Sequence, residues 1–204
     1  MERYQDLNLK ELTECASMII DVFHNVLQKD GKESRNAMIV YAAAMAGYAC
    51  HQAVKEEGGT FTVLSSKDGK RFFTGEDVNF YLMNNPYSVY SFLSGWYEKA
   101  NRGQKTPDPT YVITRSASAL GKNGYRICDL YPPADVYHAA KNCWDGIYEN
   151  MILHYCPEPK NWPVLFSIVL QNILLATTGG DQERLFRFCL EIILYVSKMD
   201  DDSL

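Results

Sequence analysis

Fourteen consecutive residues, Ala37 to Cys50, are all apolar, aromatic or glycine. A run of that kind must be hidden from water, either in a bilayer or at the centre of a fold. It falls short of the ~20 residues a membrane-spanning helix needs, and His51 and Gln52 end it. The other strongly apolar segment, Trp162 to Thr178, opens with Pro163 and carries Gln171 and Asn172 at its centre. Those polar amides suit a buried helix better than a lipid-facing one. The sequence therefore predicts no membrane span, and a first apolar run that forms a helix apolar around most of its circumference at the heart of the fold.

Around this helix the periodicity predicts a mainly α single domain, residues 1–204. The expected architecture is a bundle of about six to seven helices with one or two small antiparallel β-hairpins. Asn8 and Glu11 resemble a helix cap and its third-position acid, and Leu9, Leu12, Ala16, Ile19, Ile20, Phe23, Val26 and Leu27 recur at spacings of three and four up to Lys29. Asp30 and Gly31 supply a stop, and Ser34 caps the central helix, which continues to Lys55. Thr60 to Leu64 and Lys70 to Thr74 flank an Asp68-Gly69 step that favours a hairpin. Thr74 and Asp77 suggest a capping box for a short helix to Met83. A further helix runs from Ser88 to Ala100.

Residues 99–130 read as an irregular, hairpin-bearing insertion with strand-like stretches at Thr110 to Thr114 and Tyr125 to Leu130. Pro132 and Pro133 preset a long helix from Ala134 to Tyr155. Asn161 caps the next helix, to Thr178, and Asp181 caps the last. The short connection predicts that these last two helices pack antiparallel as a hairpin. The final helix is apolar on more than one side, so it is either central to the bundle or covered by a second copy in a homodimer. Met199 to Leu204 is an acidic tail expected to fray.

The six cysteines form no Cys-x-x-Cys pair and fall mostly in apolar helical segments. They are expected to be buried, unbridged thiols in a reducing compartment, and with no secretory leader visible the expected location is cytoplasmic. Ser116 to Asn123 contains Gly121-Lys122 but lacks the first glycine and the terminal Ser or Thr of a phosphate-binding loop. Hydrolase elbows and zinc helices are absent, so no metal and no cofactor is assigned.

Charge is unevenly placed. Lys99, Arg102, Lys105, Arg115, Lys122 and Arg126 face a single acid, Asp108, between positions 99 and 126, giving 6 − 1 = +5. The whole chain carries −5, so the remainder carries −5 − 5 = −10. That balance argues against nucleic acid as a partner. Tyr81, Tyr87, Tyr90, Trp96 and Tyr97 lie upstream of or within this segment, and Tyr111, Tyr125, Tyr131 and Tyr137 within or after it. Tyrosine beside arginine suits a protein contact surface.

The expected function is thus a protein-binding or regulatory module of the inhibitor or immunity type. Its contact residues are Arg102, Lys105, Arg115, Lys122, Arg126, Tyr87, Tyr90, Tyr97, Tyr111 and Tyr125, and its partner another protein. The alternatives are an enzyme of unfamiliar type and a small-ligand sensor. In the enzyme, Asp135 and His138, three apart on one helical face, would do acid-base or metal-assisted work with Asp129 or Tyr131.

Overall fold

The computed structural model describes residues 4, 7–29, 35–177 and 180–203. Its elements are α1 (Leu9–Lys29), α2 (Arg35–Glu56), β1 (Thr62–Ser65), β2 (Arg71–Thr74), α3 (Glu76–Leu82), α4 (Val89–Ala100) and α5 (Thr110–Ala119). They continue as α6 (Pro133–Ile147), a π-helical turn (Tyr148–Ile152), the single turn α7 (Leu153–Tyr155), α8 (Trp162–Leu175) and α9 (Gln182–Val196). The fold is mainly α with one small two-stranded antiparallel sheet.

The apolar run becomes α2, and α2 is the axis of the molecule. Fifteen of its 22 residues are buried, and α1, α3, α6, α8 and α9 all pack on it. It is long and apolar enough to cross a membrane, yet 83% of its most apolar window is buried inside the fold. Its small residues allow close approach: a Cβ on Gly47 would lie 2.5 Å from the carbonyl oxygen of Ile193 on α9.

On α1, Leu12, Cys15, Ala16, Ile19, Phe23 and Leu27 are buried, whereas Leu9 and Val26 are exposed and Ile20 is half-buried, so the core-facing stripe is narrower than expected, and the Glu11 N–H donates to Asn8 Oδ1 at 3.4 Å. Ser88 and Asp181 cap α4 and α9 through their side chains. The β1–β2 hairpin pairs Thr62 with Thr74 and Ser65 with Arg71, and Gly69 takes φ 87° in its turn, a conformation that costs glycine little. The expected stops at Asp30 and Gly31, the cap at Ser34 and the helix end at Thr178 lie outside the described residues.

Several expectations are corrected. Thr110 to Thr114 is not a strand but the start of α5, whose Val112, Ser116 and Ala119 face the core at positions i, i+4 and i+7. Its β-branched residues suggested extended structure, but burial of that stripe prevails over propensity. In place of a second hairpin there is one isolated bridge, Ile127 to Tyr131. Gly75, not Thr74, caps α3, with no side-chain bond; Asp77 instead accepts from the Thr60 N–H at 2.8 Å. Asn161 precedes α8 without a capping bond.

The long helix from Pro133 is interrupted after Ile147 by the π turn. The last two helices do not make their main packing on each other, because α2 and α4 each receive both of them. α9 is central in this single chain, its residues from Cys189 to Val196 buried without a second copy. Among the described residues the acidic tail packs as far as Ser203: Met199 is buried, Lys141 Nζ donates to Asp201 Oδ1 at 2.7 Å, and the Ser203 hydroxyl donates to the Arg71 carbonyl. Three acids and a serine in a row read as solvated, but Lys141 of α6 and the hairpin strand offer Asp201 and Ser203 partners.

Candidate functional site

The segment from α5 to α6 has little regular structure, so side chains must hold it. The holding group is Glu191, buried on α9. Its Oε1 accepts from Arg115 Nε at 3.2 Å, from the Cys128 backbone N–H at 3.0 Å and from the Tyr125 hydroxyl. The Cys128 thiol reaches Oε2 at 3.2 Å. Arg115 also reaches Asp129 Oδ1 at 2.9 Å. The guanidinium donates to the Tyr111 oxygen and to Asp129, and these bonds, in that order, with help from Glu191, raise it above its ordinary value.

Burial first, and Glu191 second, push Tyr125 and Cys128 up, so both stay protonated donors. Cys128 and Asp129 sit at φ 50° and 62°, left-handed conformations that cost non-glycine residues about 1–3 kcal/mol each. The bonds to Glu191 and Arg115 are what keep the turn in that shape.

The loop so fixed forms one wall of a cleft of about 300 Å³. Gly121 takes φ 70° and passes so close to the hairpin turn that a Cβ would stand 2.5 Å from Ser66 Cβ. Tyr125 stacks on Tyr195 of α9, ring centres 5.2 Å apart. The hairpin is docked in turn by the Phe73 N–H, which donates to the Lys198 carbonyl at 2.8 Å. Pro132 and Pro133, at the start of α6, close the far side.

Lys70, Lys122 and Arg126 line this cleft, and among the described residues no aspartate or glutamate does. Arg126 Nε donates to the Leu130 carbonyl at 3.1 Å, which orients the guanidinium without neutralising it. Phe72, Tyr195, Met199 and the two prolines give the walls an apolar character. A site of this kind holds a carboxylate- or phosphate-bearing group with an apolar flank.

The structure brings Lys122, Tyr125 and Arg126 together and disperses the other expected contact residues. Arg115 is a half-buried ion-pair partner. Tyr97 is buried, its ring 5.5 Å from Phe186, and Tyr90 leans on the same ring at 6.1 Å. Tyr87 packs against Tyr4 at 5.2 Å. Arg102, at φ 54°, and Lys105 are exposed beyond α4, and Tyr111 is exposed on α5; none of the three lines the cleft.

Lys70 was missed because it lies in the hairpin, outside the basic segment; only the docking of β2 on α9 brings it near Lys122. Asp135 and His138 are both exposed on α6, and no hydrogen bond joins them to each other or to Asp129. Among the described residues no group of three His, Cys, Asp or Glu side chains is placed to hold a metal ion. No protein family, no curated protein and no solved structure matches the chain.

Proposed function

We propose that this chain is a protein-interaction module that seats an acidic segment of a partner protein in the cleft formed by Lys70, Lys122, Arg126 and Tyr125. The observation that carries the reading is the charge of the lining: three cations and, among the described residues, no carboxylate on a chain whose net charge is −5. An acidic partner is repelled by most of the surface and accepted in one place, which gives orientation as well as attraction. The wall is preformed, because Glu191 and the hairpin hold it, so little ordering cost falls on binding. The apolar walls favour a segment in which acids alternate with aromatic or aliphatic side chains. The free thiols suit work in a reducing compartment.

The test is a photo-crosslinking side chain at Asn123, inside the cleft, activated in living cells, with the attached peptide identified by mass spectrometry. The expected product is a peptide rich in Asp or Glu that is lost when Lys70→Ala, Lys122→Ala and Arg126→Ala are combined, with thermal unfolding unchanged. A peptide without acids, or a crosslink that survives the triple variant, overturns the reading.

A further inference from the structure

A second cavity, of about 360 Å³, lies where α6 passes into the π turn, and its chemistry is opposite to that of the basic cleft. Its floor is aromatic. Trp144 meets Trp162 edge to face at 5.0 Å and stacks with Tyr148 at 5.6 Å, while Tyr148 and Trp162 stand at 86° to each other. Tyr48 of α2 abuts Trp144 at 5.5 Å. Tyr148, half-buried, is the ring most open to the cavity; the other three are buried.

The rim is acidic. Glu56, Asp145 and Glu149 line it, all exposed, with no Lys, Arg or His among the lining residues. Among the described residues no cation pairs with any of the three. Asp145, in the last turn of α6, and Glu149, in the π turn, line it four positions apart, two like charges without a cation between them.

Two further features bear on what fits. The carboxylates are not grouped closely enough to hold a metal ion, so a compact divalent cation is disfavoured and a larger, diffuse one suits the spacing. The π turn Tyr148–Ile152 begins at the most open ring; such turns interrupt regular helix bonding and concentrate at functional positions. Burial, then Asp145, raises Tyr48, and burial, then Glu56, raises Tyr148. The potential over the floor is therefore negative, and both rings stay protonated.

We infer that this cavity binds a small organic ammonium ion, its charge set over the Tyr148 ring and between the carboxylates of Glu56, Asp145 and Glu149. Aromatic faces attract such cations through the ring quadrupole, and the unpaired acids supply the long-range attraction. The inference is independent of the basic cleft, with which this cavity shares no lining residue.

The test is a titration followed by tryptophan fluorescence, since two of the three tryptophans are in the floor. Choline and putrescine are the probes, and sodium chloride at matched ionic strength is the control. The expected result is a saturable change with an ammonium probe that the salt does not produce. Combining Glu56→Gln, Asp145→Asn and Glu149→Gln alters only exposed side chains and is expected to weaken binding about tenfold or more, with thermal unfolding unchanged. Tyr148→Leu is expected to weaken choline by about two- to fivefold. Fluorescence that follows the salt control for both probes, or a carboxylate triple variant that binds like the parent, overturns the inference.

Discussion

Arg115 on α5 and Glu191 on α9, 76 positions apart, meet at 3.2 Å, and this contact holds the wall of the basic cleft to the core. Replacing Glu191 by Ala removes the acceptor shared by Arg115, Tyr125 and Cys128. Chemical denaturation is expected to show a loss of about 3–5 kcal/mol, and Glu191→Gln a loss of about 1–3 kcal/mol. The other arm of Arg115 ends on Asp129, whose side chain is 85% exposed, so Asp129→Ala is expected to cost less than about 1 kcal/mol. Equal losses at Glu191 and Asp129 would refute this division.

Two helical glycines should respond oppositely to the same substitution. At Gly47 a methyl group would meet the Ile193 carbonyl at 2.5 Å, while at Gly95 it would meet nothing within 4 Å. Gly47→Ala is expected to destabilise by about 1–3 kcal/mol. Gly95→Ala, on an exposed face of α4, is expected to stabilise by about 0.5–1 kcal/mol. Thermal unfolding of the pair reads both signs in one experiment.

His51 gives the fold a defined acid sensitivity. Its ring stacks on Phe61 at 4.8 Å and meets Phe73 edge-on at 5.4 Å, and its Nδ1–H donates to the Ser197 carbonyl at 3.3 Å. Burial lowers its pKa to about 4, against 6.5 for a free imidazole. The unfolded chain then takes up a proton that the folded one refuses. Stability from this group is full above pH 6.5 and falls as pH drops toward about 4, by about 3 kcal/mol in all. Urea midpoints across that window should fall in the parent and fall less in His51→Gln.

The thiols should be silent until the fold opens. Burial pushes Cys15 up to about 11 and Cys143 and Cys156 up to about 12, and raises Cys50 and Cys189 further. A thiolate-directed reagent at mildly alkaline pH is expected to modify native protein at a rate set by opening, and all six cysteines at once in denaturant. Rapid native modification of Cys128 or Cys143, the two half-buried thiols, would contradict this.

The helices that bury a stripe were legible in the sequence, because spacing alone reports a face. Leu12 to Leu27 and Val89 to Tyr97 needed nothing distant to define them. What was illegible depended on partners far along the chain. Thr110 to Thr114 carries β-branched residues whose helical state is decided by what Val112 and Ser116 face. Half of the cleft could be read, since Lys122, Tyr125 and Arg126 are close in sequence, whereas Lys70 joins them only through the docked hairpin. Asp135 and His138 show the reverse: spacing put them on one face, but nothing in the fold encloses that face. The aromatic, acidic cavity was half legible, since Trp144, Asp145, Tyr148 and Glu149 are close in sequence, but Tyr48, Glu56 and Trp162 join them only through the packing of α2 and α8.

The central place of α2 also has a consequence in time. Its fifteen buried residues are covered mainly by α6, α8 and α9, the last of which ends at Val196, 196 − 56 = 140 positions after Glu56. At roughly 5–20 residues per second of synthesis, the helix waits on the order of ten seconds outside the ribosome before its cover arrives. For that interval α2 has only α1 and α3 to pack against, and the rest of its apolar surface is uncovered. The exposure that the finished fold removes is thus concentrated in the period of synthesis, before α8 and α9 exist to close over α2.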